Sequence, residues 1–440
     1  CKPYQEKDYE LQKMKYEDLD FDDIRDLISK NKDLDFGLMY EFLDHFQLNQ
    51  GFTNLRKAIK TIVPFKTYYT LPLELIPIMT SPYKNCACVI NPDYAKEMTE
   101  EIQSVVLGRL ENMSEDEMKD IEKSTISHLF LELRYFLCIA LDETSVDEKL
   151  ESIKLSMALR FLKSSNMKKR LNGINEIKHI IEMTSDNVRK GWHDDDSPRN
   201  VRWIKPEYLC NWIHENKLTE FILGDSAHIE VVKRSSTVLR FLSQHDQLTK
   251  EHLDLLWKCQ EGKHEATVLG IYETINDIAL DLSTDSLDYI FTKIESIPIK
   301  KYNEQTLNFV KEFTINACKV ARDKNKKEIV DLSYDDDGEE QKQLAFYLEN
   351  AKAIVDGEVC PPKEPFSEYG LPIIYELMQQ DTDLGAAALK ALIELLKFKS
   401  CDRFKMPYIL KCVKNLQNNE AVYQSLTIIR SILPKCFSHF

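Results

Sequence analysis

Four short apolar stripes between Ile229 and Pro298 constrain this chain more than any other feature of it. The first carries Val231, Ser235, Val238 and Leu242, and the second Leu253, Leu256 and Trp257. The third carries Val268, Tyr272, Ile275, Ala279 and Leu282, and the fourth Leu287, Ile290, Phe291, Ile294 and Ile297. Steps of three and four place each set on one side of a helix, with charged residues on the others. Thr249 stands where a hydroxyl caps the second helix, Ser283 or Thr284 where one caps the fourth, and Gly262 where the second should stop. Helices this short are marginal alone and bury their stripes only by stacking on neighbours. The expected fold is therefore all-α, a curved helical-repeat solenoid of the armadillo or HEAT kind.

Composition agrees. In 440 residues there are only 12 Gly and 15 Pro, too few for a turn-rich β protein. The 11 cysteines are an odd number, scattered singly in apolar words such as Phe136-Leu137-Cys138-Ile139 and Leu209-Cys210-Asn211-Trp212. That pattern reads as reduced core thiols, and so as a cytoplasmic protein with access to the nucleus. A net charge of −15 disfavours a general nucleic-acid binder. No apolar run is long enough to span a bilayer and no signal peptide is visible. The chain starts at Cys1 and ends in a helical pattern, as a piece of a longer protein would.

Three regions are expected. Residues 1–33 form a charged N-terminal segment, with Glu17, Asp18, Asp20, Asp22, Asp23 and Asp26 around Leu19, Phe21, Ile24, Leu27 and Ile28. Residues 34–298 form armadillo-like repeats: helices over Phe36–Leu48, Leu55–Val63 and Tyr94–Leu110, one opened by the Ser114/Glu117 capping-box spacing and running to Leu141, then Val146–Leu162, Met167–Met183 and a helix from Pro206 to Glu215. Prolines 72, 77 and 82 break up Leu71–Asn91, and Ser185–Asn200 lapses into a loop at Asp194–Pro198. Residues 299–440 continue the repeats with helices over Gln305–Lys324, Lys342–Val355, Leu384–Phe398, Met406–Leu416 and Glu420–Cys436. An acidic loop at 334–341 and a proline-bearing loop at 356–365 interrupt them. Early proteolysis is expected in Asp186–Asn200 and Ser333–Pro365. Ala158-Leu159-Arg160-Phe161-Leu162 returns as Val238-Leu239-Arg240-Phe241-Leu242, eighty residues later, which is two units of forty. At that repeat size the chain holds roughly sixteen to twenty helices.

No catalytic, cofactor or metal residue is assigned. Cys86-Ala87-Cys88 lacks a second ligand pair at zinc spacing. The Asp335–Glu340 run fails as a calcium loop, because Leu344 falls where the twelfth-position acid belongs. Gly262-Lys263 lacks the glycine that a phosphate loop needs before it, and no cysteine sits in a turn suited to a nucleophile. Trp203, Trp212 and Trp257 read as core anchors. Lys263, His264 and Glu265 read as an exposed turn, with Glu265 at the positive end of the next helix.

Several of these words together carry a resemblance. Asn211-Trp212-Ile213, Leu239-Arg240-Phe241-Leu242, Asp254-Leu255-Leu256-Trp257, Gly262-Lys263-His264-Glu265-Ala266 and Ser286-Leu287-Asp288-Tyr289-Ile290-Phe291 occur in order. They resemble the armadillo-like region of the very large ubiquitin-specific proteases of the fat facets type. Leu43–Lys66, Leu155–Ile181 and the tail from Asp402 to Phe437 extend the likeness to Leu34–Pro298 plus the last forty residues. The resemblance implies a parent deubiquitinase, a thiol protease that removes ubiquitin. The nucleophile context of that family, Gly-x-x-Asn-x-x-x-Thr-Cys, and its Gly-His-Tyr do not occur here. The expected role is therefore a non-catalytic scaffold that recruits ubiquitinated substrates or adaptors, with protein partners and neither nucleic acid nor membrane. Two other readings stay open: a standalone armadillo/HEAT adaptor or transport protein, and an enzyme whose site is assembled across helices.

Overall fold

A computed structural model describes residues 37–54, 57, 96, 97, 99, 100, 107–111, 113, 123–138, 141–190, 204–224, 228–330, 336–361 and 367–436. The charged segment 1–33, most of Leu55–Val63, the proline-rich stretch, Cys86 and Cys88, the Ser114/Glu117 box, Asp194–Pro198 and Trp203 lie outside the described residues. Those described are mostly helical, with no strand among them. The all-α expectation is borne out.

The chain divides into two compact units, residues 1–205 and 206–440. In the first, α1 (Gly37–Leu48), α2 (Gly108–Glu111) and α3 (Lys123–Leu137) precede a long hairpin of α4 (Glu143–Lys163) and α5 (Met167–Lys190). Asp142 caps α4, its Oδ2 accepting from the Ser145 N–H at 3.0 Å. At the hairpin turn the Asn166 side chain accepts from the Lys169 N–H at 3.3 Å. Leu155, Ala158 and Leu162 of α4 bury against Ile174, Ile177 and Ile181 of α5. An Arg134–Asp147 fork, at 2.5 and 2.9 Å, ties α3 to α4. Where a loop is expected from Ser185, α5 stays helical to Lys190.

The second unit is a succession of helix pairs. It runs through α6 (Pro206–Glu215), α7 (Leu218–Leu223), α8 (Ile229–Val232), α9 (Ser236–Gln244), α10 (Lys250–Lys258), α11 (Glu265–Ile278) and α12 (Thr284–Glu295). It continues with α13 (Glu304–Val330), α14 (Asp336–Val355), α15 (Leu371–Met378), α16 (Asp383–Leu395), α17 (Lys405–Gln417) and α18 (Val422–Cys436). The expected caps form: Thr249 precedes α10, and Ser283 caps α12, its Oγ accepting from the Ser286 N–H at 3.2 Å. Gly262 takes φ +66°, a turn conformation that favours glycine.

Three details differ from expectation. The first helix of the 229–298 block is split into α8 and α9. The Ser235 hydroxyl donates to the Val232 carbonyl at 2.6 Å, and the backbone tightens there into three-residue bonds. Val231, Ser235, Val238 and Leu242 are buried all the same. The acidic run is not a break from Asp336 onward but the first turn of α14, where carboxylates favour the positive end of a helix. Of the two expected loops in 299–440, residues 356–361 are non-helical. Finally, packing does not divide at residue 298: Tyr272 of α11 stacks on Phe309 of α13, centroids 4.0 Å apart and 5° from parallel.

Polar contacts between successive pairs recur at one sequence spacing. Lys233 Nζ meets Glu273 Oε2 at 2.9 Å, forty residues on. Asn316 donates to the Asn276 carbonyl at 3.2 Å, Tyr408 to Glu368 at 2.8 Å and Asn415 to the Tyr375 hydroxyl at 2.8 Å, each pair 40 residues apart. Arg240 reaches Asp281 at 2.7 Å across 41 residues, and Lys293 pairs with Asp254 at 2.8 Å. Bonds at that interval join like positions of adjacent repeats, so the forty-residue period is a physical register. The exposed ion pairs among them stabilise by only about 0–1 kcal/mol each. Their effect is on alignment, while the buried stripes supply the stability.

Candidate interaction surface

The word repeated at 158 and 238 shows how the repeats divide their residues. Ala158, Leu159 and Leu162 are buried, as are Val238, Leu239 and Leu242. The arginine of each word points outward to a neighbouring segment: Arg160 to the carbonyls of Glu111 and Met113, Arg240 to Asp281. Inward positions build the core, and outward ones fix neighbours or stay open to solvent.

Trp257 does not anchor the core. It is half-buried, whereas His252, Leu253, Leu256 and Cys259 of the same turns are buried. The buried face centres near His252 and Leu256, and a helix advances about 100° per residue, which carries Trp257 to the flank. Trp212 is likewise half-buried. Lys263, His264 and Glu265 are exposed, as expected. Two of them also have structural duties: His264 caps α11, its Nδ1 accepting from the Ala266 N–H at 3.3 Å, and Glu265 accepts from Asn303 at 3.4 Å. The turn is thus part of the repeat junction.

On the outer side of α10 and α12, Lys250 and Lys293 lie 5.2 and 5.0 Å from the centre of the Tyr289 ring. The Tyr289 hydroxyl donates to Asp254 at 2.9 Å. A second surface feature is apolar. Along α18, Ser425, Ile428, Ile432 and Cys436 are buried, yet Val422, Tyr423 and Leu426 are 41%, 73% and 53% exposed. This helix is apolar on two sides, a signal present in its sequence that the search for a single stripe missed.

One junction carries a titratable pair. His252 is buried and stacks on His214 of α6, centroids 5.5 Å apart, while its Nδ1 accepts from the Thr249 N–H at 3.2 Å. Burial, then the nearby His214, hold its pKa below the usual value, against the weaker pull of Glu220 and Glu251. The unfolded chain therefore binds a proton more readily than the folded one. Stability is then lost as pH falls through the ordinary histidine value of about 6.5. Melting curves taken from about pH 7.5 down to about pH 5.5 should show that loss, and His252→Gln should flatten it. An unchanged slope in the variant would exclude His252 as its source.

Among the described residues, no group of three or more His, Cys, Asp or Glu side chains could hold a metal ion, and no helix is long and apolar enough to cross a membrane. Paired helices held by forty-residue rungs define a helical-repeat protein of the armadillo kind. Residues 148–329 match the family described as the UBP24/USP9X/USP9Y ARM repeat. That stretch is thus similar to the armadillo repeat region of those large proteases. Ubiquitin carboxyl-terminal hydrolase 9Y of Homo sapiens is 25% identical over 284 residues, covering 62% of this chain and 11% of that protein. The Mus musculus hydrolase 9X matches to the same extent, also at 25%. The probable ubiquitin carboxyl-terminal hydrolase FAF of Drosophila melanogaster is 24% identical over 238 residues, 51% of this chain and 8% of that protein. The chain therefore spans about a tenth of the length of these relatives.

Proposed function

We propose that this chain is a non-catalytic scaffold region of a large deubiquitinating enzyme. It presents repeat surfaces to ubiquitinated substrates or their adaptors and works in the cytoplasm, with access to the nucleus. The observation that carries the reading is a coincidence of two patterns. The stretch that matches the ARM repeat family contains rungs such as Lys233–Glu273 and Asn276–Asn316, which hold helix pairs in register. Its inward residues are spent on packing, which leaves the outward faces of the pairs for other proteins, the usual use of such repeats. Seven of the described thiols, including Cys210 and Cys412, lie within or beside the core, the placement expected of reduced thiols in a reducing compartment.

The test separates recruitment from catalysis. A ubiquitin probe with a cysteine-reactive C-terminus should leave this chain unmodified. In the full-length parent protein, removing residues 206–440 should leave cleavage of free di-ubiquitin intact and slow turnover of ubiquitinated protein substrates. Equal loss on both substrates, or probe labelling at one cysteine of this chain, would overturn the reading.

A further inference from the structure

The helix α18 carries a second apolar stripe that stays open to solvent. Its buried residues, Ser425, Ile428, Ile432 and Cys436, belong to the side that packs on α16 and α17. Val422, Leu426, Ile429 and Leu433 follow one another at steps of four, three and four. At about 100° per residue they fall on one line, roughly 85° around the helix from the buried set. Val422 and Leu426 are exposed, and Ile429 and Leu433 half-buried. Tyr423 and Arg430, one heptad apart and both exposed, flank that line on the side away from the core.

We infer that this stripe is a self-docking surface, on which α18 of a second copy of this chain packs antiparallel. Alternating steps of four and three are the spacing of a coiled-coil seam, with Val422 and Ile429 in one core position and Leu426 and Leu433 in the other. The spacing reads the same from either end. In two such helices related by a two-fold axis, Leu426 meets Ile429 of the second copy and Val422 meets its Leu433. Each contact then forms twice, as a self-complementary interface requires. The flanks agree with this direction. Antiparallel packing brings Tyr423 beside Arg430 of the second copy, a guanidinium within reach of an aromatic face. It also sets the acidic start of each helix, at Glu420, level with the basic end of the other, at Lys435. Parallel packing would instead leave Tyr423 and Arg430 two turns apart and set the two arginines level with each other.

The strength follows from the size. A seam of three turns buries less than a permanent dimer does, so the association belongs to the weak, concentration-dependent class. Large apolar side chains lined up in one exposed patch are the usual mark of such an interface. The inference does not depend on what the repeats bind. A paired chain would, however, present every outward face twice, and two linked binding surfaces hold a partner with two sites more tightly than one.

The 440-residue chain is sedimented at loadings from about 1 to about 200 µM, in a reducing buffer that prevents disulfides through the exposed Cys360. The average mass should climb from monomer toward dimer across that range. Leu426→Asp, at an exposed position, should weaken the dimer about tenfold or more and leave the melting temperature of the monomer unchanged. Tyr423→Lys and Arg430→Glu should each weaken it, and the double variant should recover it, because antiparallel packing sets position 423 against position 430. If Leu426→Asp does not fold, this exchange at two exposed positions decides. A monomer at every loading, a dimer indifferent to Leu426→Asp, or a double variant no tighter than either single one would overturn the proposal. So would a monomer whose Tyr423 is shielded only when the chain is lengthened beyond residue 440, which would make a following helix pair the occupant.

Discussion

Replacing Phe241 by alanine is expected to cost about 3–5 kcal/mol, the range for truncating a fully buried aromatic ring. Phe241 is 1% exposed in α9, its ring edge-on to His245 with centroids 4.7 Å apart. Its neighbours Leu239 and Leu242 are both at 0%, so the ring is removed from the interior of the packed face. Trp257→Ala removes a larger side chain, yet should cost less, because the indole on the flank of α10 is already partly exposed to water. Chemical or thermal unfolding of the two variants side by side measures the difference. Equal losses would mean that Trp257 is a core residue after all, and a silent Phe241→Ala would undo the placement of the α9 stripe.

Gly173→Ala should destabilise the first unit, although alanine is the better helix former by about 1 kcal/mol. A Cβ at Gly173 would stand 2.5 Å from the Ala158 carbonyl oxygen and 2.5 Å from the Leu162 nitrogen. These are backbone atoms of α4 and cannot swing aside, so the α4–α5 hairpin must spread. Overpacking of this kind costs about 1–3 kcal/mol and sometimes more, which outweighs the gain in propensity. Gly108 provides the internal control, since a Cβ there meets nothing within 4 Å. Gly108→Ala should be neutral or stabilising by up to about 1 kcal/mol. Stabilisation by Gly173→Ala would show that the two helices do not cross where described.

The helices with strong periodicity were legible from the sequence, and the reason is physical. The α12 stripe of Leu287, Ile290, Phe291 and Ile294 is buried as a set, and Pro206 opens α6 where its missing N–H costs nothing. Short elements were not legible. The helix Leu218–Leu223 follows Lys217, which adopts a left-handed conformation at φ 50° with no side-chain cap, so no start signal marks it. Leu371–Met378 lies between a proline cluster and an alanine-rich run, and its own pattern spans barely two turns. The acidic run at Asp336 read as a break because charge density was taken for solvation, whereas acids in a first turn also stabilise a helix.

The surface was harder to read than the core. Trp257 was assigned inward as the end of the Leu253 and Leu256 stripe, though its angular position puts it on the flank. His264 read only as an exposed turn residue, but an imidazole nitrogen can cap a helix as a hydroxyl does. The rungs needed three dimensions. A single charged residue has many partners within a sequence, and only packing shows that Lys233 meets Glu273. The two-unit echo gave the period, and the structure supplied the contacts that give it meaning.

Zero-length cross-linking of amines to carboxylates tests the forty-residue register most directly. A water-soluble carbodiimide joins a lysine to an acid only when they touch. Three exposed or half-exposed rungs qualify: Lys233–Glu273 at 2.9 Å, Lys293–Asp254 at 2.8 Å and Lys411–Glu368 at 3.4 Å. Peptide mapping should recover amide links between these partners in the folded chain and lose them in denaturant. Links from the same three lysines only to acids at other sequence separations, with these pairs absent, would contradict the repeat architecture and the scaffold reading built on it.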